Sequence, residues 1–133
     1  MEYYTTIEQS KKLVELGIDV DTADMYYPYY LEFDKYPSTP LALDDELKNY
    51  QLIGEDIPCW STEALLKLLP RCIYTKDNFV LNDIQAYKDS YRISYTNISY
   101  TNYEYKNVIE CKYDTLIECA YNMIVKLKEL KLL

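Results

Sequence analysis

The chain has 133 residues, a formal charge of −8 from 14 basic and 22 acidic side chains, and no histidine. That length suits one domain with a core needing neither metals nor disulfides, and the missing imidazole removes Ser–His–Asp, Cys–His and HExxH chemistry. Only Gly17 and Gly54 are present, which leaves no glycine-rich phosphate or dinucleotide loop.

The first predicted element is a helix. Thr5 and Glu8 have capping-box spacing, Ile7, Leu13, Val14 and Leu16 supply an apolar stripe, and Gly17 suits the left-handed residue that ends it. "DVDTADM" then reads as a short turn with Asp21 as its cap. Residues 26–58 read as irregular, because Pro28, Pro37, Pro40 and Pro58 interrupt any period. A short helix at "LDDELKNY" is the one element suggested there.

"STEALLKLLP" is the second helix. Ser61 caps it, Glu63 sits in the positive first turn, Leu65, Leu66, Leu68 and Leu69 face inward, and Pro70 stops it. From Ile73 to Tyr113 the period drops to two. "FVLNDIQAY" reads as a strand without cleanly separated faces. "SYRISYT" places Tyr91, Ile93 and Tyr95 on one face, with Arg92 and Ser94 on the other. "YEYKNVIECKY" sets Tyr103, Tyr105, Ile109, Cys111 and Tyr113 against Glu104, Lys106, Glu110 and Lys112. One apolar and one charged face predict an antiparallel sheet covered on one side. Thr115 and Glu118 then open a last helix with Leu116, Ala120, Met123, Ile124, Leu127 and Leu130 as its stripe. The expectation is a single α+β domain over residues 1–133: an antiparallel sheet of about three or four strands, with one face covered by about three helices.

Between the last two strands "ISYTN" occurs twice, at 93–97 and 98–102. A two-residue turn at Thr96–Asn97 would demand positive φ of a β-branched residue. A wider tip over about 96–102 keeps Tyr91, Ile93 and Tyr95 on the face of Tyr103 and Tyr105. In that register the second copy is mostly loop, a tolerated duplication whose removal leaves the fold intact.

Three segments, "TTIEQSKKLVELGIDVDTADMYY", "IPCWSTEALLKLLP" and "YDTLIECAYNMIVKLKEL", together resemble a family of small uncharacterised proteins encoded by gut Bacteroidales and their associated phages and mobile elements. The resemblance covers the N-terminal third, the second helix and the last helix. It implies no activity, cofactor or catalytic residue, and the doubled "ISYTN" is not part of it.

Cys59, Cys72, Cys111 and Cys119 lie 13, 39 and 8 residues apart with no CxxC pair. Free buried thiols are therefore expected, with no disulfide framework, zinc site or cofactor. No apolar run approaches the roughly 20 residues that span a bilayer, and "MEYYTTIEQS" lacks a signal-peptide pattern. The expected location is the cytoplasm. Residues 1–66 hold 14 acids against Lys11, Lys12, Lys35 and Lys48, while residues 67–133 hold 10 bases against 8 acids. That acidic half argues against direct nucleic-acid binding and fits a basic protein partner or plain solubility.

Asp19, Asp21 and Asp24, like Asp44, Asp45 and Glu46, read as capping and solvating residues; a calcium loop would need a central glycine and a bidentate glutamate that are absent. Tyrosine is left, with 17 copies. The candidate interaction surface is Tyr26, Tyr27, Tyr29 and Tyr30 with Asp44, Asp45 and Glu46, because tyrosine contributes contact area and a hydroxyl at low entropic cost. Core padding is the alternative for those rings, and Trp60 reads as a core anchor. The expected function is a non-enzymatic accessory protein that binds a protein partner. Two alternatives stand beside it: a small-molecule pocket lined by tyrosines and Trp60, and a DNA mimic.

Overall fold

The structure is a computed structural model that describes residues 3–43, 55–73, 79–98 and 105–133. Its class is α+β, with antiparallel sheets and helices. Two compact units divide it, Met1–Leu65 and Leu66–Leu133, and the strands fall into two sheets, one in each unit, rather than one.

In the first unit, helix α1 spans Ile7–Glu15. Its N-cap is Thr6, whose hydroxyl accepts from the Gln9 N–H at 3.1 Å while the Gln9 side chain accepts from the Thr6 N–H at 3.0 Å. This is a complete capping box, one residue later than the expected Thr5 and Glu8. Thr5 cannot serve because its hydroxyl is engaged elsewhere: it accepts from the Trp60 N–H at 3.1 Å and lies 2.8 Å from Ser10 Oγ. At the other end Gly17 has φ +86°. Gly17 and Ile18 donate to the Val14 and Leu13 carbonyls, each at 3.0 Å, the paired bonds of a Schellman motif. The apolar stripe is narrower than the sequence suggests. Leu13 is buried, Ile7 and Leu16 are half-buried, and Val14 is 41% exposed.

A single 3-10 turn, Val20–Thr22, follows, capped by Asp19 accepting from the Asp21 N–H at 2.9 Å. Asp21 is thus inside the turn and not its cap. The stretch expected to be irregular holds a small antiparallel sheet. Strand β1 (Met25–Tyr27) lies between β2 (Leu41–Ala42) and β3 (Ile57–Cys59), with Met25 opposite both Ala42 and Cys59. Pro58 is tolerated because β3 is an edge strand. Tyr27, Ile57 and Cys59 form the buried cluster, with Tyr4, Ile7, Met25 and Tyr36 packed around it. The proposed helix at "LDDELKNY" lies almost wholly outside the described residues.

Helix α2 spans Thr62–Leu68 and begins as expected, with the Ala64 N–H donating to Ser61 Oγ at 3.2 Å. Leu65 and Leu69 are buried, whereas Leu66 and Leu68 are half-buried. The sheet of the second unit runs β4 (Cys72–Ile73), β5 (Phe79–Ala86), β6 (Tyr91–Ile98) and β7 (Tyr105–Tyr113), in that spatial order and antiparallel throughout. A bulge between Leu81 and Asp83 shifts the register of β5, which is why its two faces do not separate in the sequence.

In the hairpin, Tyr91, Ile93 and Tyr95 pair with Tyr113, Cys111 and Ile109. The expected parity holds for Ile109, Cys111 and Tyr113 but not for Tyr105, which the shift after Asn97 sets opposite Ile98, and the register is six residues further along than a tip at 96–102 would give. Thr96 and Asn97 are strand residues opposite Val108 and Asn107, and a second shift follows before Ile98 pairs with Tyr105. The first "ISYTN" is therefore a central-strand segment, and the second begins in the strand with Ile98, its remaining residues lying outside those described.

Helix α3 spans Leu116–Glu129, and the Thr115 hydroxyl accepts from the Glu118 N–H at 3.2 Å. Its buried side is Ile117, Cys119, Ala120, Met123, Ile124 and Leu127. Leu130, expected on that stripe, is half exposed to solvent, and Leu116 is half-buried. Opposite this helix Ile93, Tyr95, Ile109 and Cys111 are buried on the sheet. Full burial of each large side chain in such a layer contributes about 1.5–3 kcal/mol.

Candidate functional site

The tyrosine-rich segment separates into a buried part and a presented part. Tyr27 is 2% exposed and its hydroxyl donates to the Thr5 carbonyl at 2.8 Å. It belongs to the core and leaves the candidate surface. Tyr26 is half-buried within β1. Asp44, Asp45 and Glu46 lie outside the described residues.

What the first unit presents instead is the turn just beyond. Tyr30 and Lys35 bridge each other, with the Tyr30 N–H donating to the Lys35 carbonyl at 3.0 Å and the Lys35 N–H returning to Tyr30 at 3.4 Å. Inside that bridge the Phe33 N–H donates to the Tyr30 carbonyl at 3.1 Å, and Asp34 closes the loop at φ +48°. Aspartate is among the few residues that adopt this left-handed region readily. The base of the turn is fastened one step back, where the Tyr29 and Tyr36 rings meet with centroids 5.1 Å apart and tilted by 58°. Asp56 Oδ1 accepts from the Tyr29 N–H at 2.9 Å, and the Tyr36 hydroxyl donates to the Glu55 carbonyl at 2.5 Å. Burial, then the charges of Glu55 and Asp56, push the Tyr36 phenol up from its ordinary value, so it remains a donor.

A fastened turn fixes where its tip points. Leu31 is 85% exposed and Phe33 65% exposed, beside Tyr30 at 41%. Glu32, Asp34 and Lys35 are exposed around them, and the Lys35 ammonium sits 5.6 Å from the Phe33 ring centroid, close enough to steady the ring. Two large apolar side chains held in water by an ordered turn, with Glu32 between them and Asp34 next to Phe33, form a surface suited to contact with another molecule. Sequence reasoning found Tyr29 and Tyr30 but missed Leu31 and Phe33. The available signal was the alternation Leu31–Glu32–Phe33–Asp34 between Pro28 and Pro37.

Most of the other chemically notable groups are engaged within the fold. Cys59 is fully buried, its thiol donating to the Thr5 carbonyl at 3.3 Å. Cys119 donates to the Tyr91 carbonyl at 2.9 Å and the Cys111 carbonyl at 3.4 Å. Burial raises the pKa of Cys59, Cys111 and Cys119, the opposite of what a nucleophilic thiol needs. Cys72, unlike the other three, is exposed. Trp60 is fully buried and its indole N–H donates to Thr22 Oγ1 at 2.9 Å, as expected of a core anchor. Asp24 accepts from the N–H and hydroxyl of Ser61; like Asp56 on Tyr29 it ties distant segments together, while Asp19 caps its own turn. Among the described residues no cluster of three or more Cys, Asp or Glu is placed to hold a metal ion, and no helix is long and apolar enough to cross a membrane.

In the second unit, a groove of about 440 Å³ runs between β7 and α3, lined by Glu110–Tyr113 on the strand and by Asn122, Val125, Lys126 and Glu129 on the helix. Lys126 Nζ donates to the Glu110 carbonyl at 3.3 Å, and Arg92 lies 3.6 Å from the Glu110 carboxylate. Comparison with protein-family models, curated proteins and solved structures finds no match to this chain.

Proposed function

We propose that this is a non-enzymatic accessory protein that binds a protein partner through the Tyr30–Lys35 turn, with Leu31 and Phe33 as the anchoring side chains. The observation that carries this reading is their exposure, 85% and 65%, on a turn fastened by the Tyr29–Tyr36 contact and by Asp56. Apolar anchors surrounded by polar groups are the usual energetic centre of an interface. Glu32 and Asp34 favour a partner whose socket is apolar with a basic rim. A role in a phage or mobile element is the setting that the family resemblance suggests.

The test is affinity capture with wild type and a Leu31→Ser/Phe33→Ser double variant, followed by direct binding of the captured partner to purified protein. The variant should unfold within about 0.5 kcal/mol of wild type, as exposed substitutions do, and lose at least tenfold in affinity, which corresponds to about 1.4 kcal/mol. Equal binding by the two proteins would remove this turn from the interface.

A further inference from the structure

Strand β7 ends the four-stranded sheet, and among the described residues no strand pairs with its outer side. The phase of the ladder determines which backbone groups face outward. At the β5–β6 turn the Tyr87 N–H donates to the Ser90 carbonyl at 2.7 Å, making those residues a hydrogen-bonded pair. Antiparallel pairs alternate, so Gln85 and Arg92 form the next one. Arg92 thus directs its backbone groups toward β5, while Tyr91 and Ile93 direct theirs toward Tyr113 and Cys111 of β7. Glu110 and Lys112 lie between these inward pairs and present their N–H and C=O groups at the free edge. The Lys126 ammonium on the Glu110 carbonyl is an independent sign of the same phase. Both side chains are exposed, and the groove between β7 and α3 opens beside them.

We propose that this edge pairs with β7 of a second copy of the chain, antiparallel about a two-fold axis at Cys111. In that register Glu110 faces Lys112 of the second copy and Lys112 faces its Glu110, so both charge pairs are favourable. Both positions are outward-facing in the ladder, and each pair exchanges backbone hydrogen bonds. Moving the axis one residue in either direction sets Glu110 against Glu110 or Lys112 against Lys112, so charge selects one register. Charged residues can also blunt an edge, but blunting against a second copy requires charges that repel, and this pair attracts its own image. The two-fold axis places both α3 helices on one face of the joined sheet, where the Asn122–Val125–Lys126–Glu129 stripe again carries both signs. Lys126 moves off the Glu110 carbonyl as the second strand arrives.

Sedimentation equilibrium on the purified chain tests this. Wild type should show a concentration-dependent dimer. Glu110→Lys and Lys112→Glu, each alone, turn both symmetric pairs repulsive and should weaken the dimer about tenfold. An equimolar mixture of these two variants should form a heterodimer, since every pair is then opposite in sign, and the double variant E110K/K112E should restore the homodimer. Far-UV circular dichroism on the variants separates misfolding from lost association; Lys112→Glu, which leaves the Arg92–Glu110 pair in place, is the cleaner of the two. A monomer at every concentration, or a dimer indifferent to these reversals and to mixing, would overturn the proposal; a monomer would leave the edge to a different extended strand.

Discussion

The two units are stabilised in different ways. The first has strands of two or three residues, and polar contacts converge on one residue. Thr5 bonds through its backbone to Trp60 and Tyr27, and through its hydroxyl to Trp60 and Ser10. The second has strands of eight or nine residues in β5, β6 and β7 and a helix of 14 residues laid on them, and its interior is mostly apolar. Short strands cannot bury enough side-chain surface to hold themselves, so buried hydrogen bonds between distant segments fix their geometry. Long strands and a long helix do it with area.

The largest effect should come from the apolar unit. Met123→Ala, at a fully buried site on α3, should cost about 2–5 kcal/mol in urea unfolding. A loss below about 1 kcal/mol would show that packing against α3 is not what holds this unit. Thr5→Val keeps the volume and removes the hydroxyl, leaving the Trp60 N–H and the Ser10 hydroxyl without it. It should cost about 1–3 kcal/mol, and hydrogen exchange should accelerate around residues 57–61 more than in β6. Uniform acceleration in both units would break the contrast between them.

The smallest effect near neutral pH, and one shared by both units, is alkaline sensitivity. Cys59, Cys111 and Cys119 have folded pKa values raised above their ordinary 9.0 by burial, and burial raises Tyr95 above 10.0. The unfolded chain therefore loses these protons first as pH rises. Their contribution is fully present below pH about 9 and is lost as pH climbs through the folded values. Melting temperature should be flat in this respect from pH 7 to about 9 and fall beyond it. Replacing Cys119 with Ser should soften that fall, and an unchanged profile would mean that the thiols are not its source.

Legibility in the sequence follows the same contrast. Helices α1, α2 and α3 and strands β6 and β7 were readable because each repeats its pattern long enough to show a period, and β5 from its β-favouring residues although its bulge blurs the period. The caps at Ser61 and Thr115 and the end at Gly17 were readable because a single residue type suffices for each. The strands β1–β3 were not, since two or three residues contain no period and their partners lie up to 34 positions away, as with Met25 and Cys59. In the candidate site, Tyr29 and Tyr30 were legible by composition, while Tyr27 was misplaced because alternate residues of a strand face opposite ways and only the pairing says which is inside.

By itself, the sequence determined the α+β class, the helix ends at Ser61, Thr115 and Gly17, the parity of the hairpin around Ile93 and Cys111, and the lack of histidine and of a glycine-rich loop, all of which depend on residue types or on local spacing. Tertiary structure decided the rest. It placed Thr5 in the core instead of at a cap, because that residue meets Trp60 across 55 positions of chain. It moved the hairpin register by six residues, since parity is local but register is set by which long-range pairs bury their faces. And it divided "MYYPYYLEFDKY" into a buried Tyr27 and a presented Leu31 and Phe33, because burial belongs to the partners a residue meets and not to the residue.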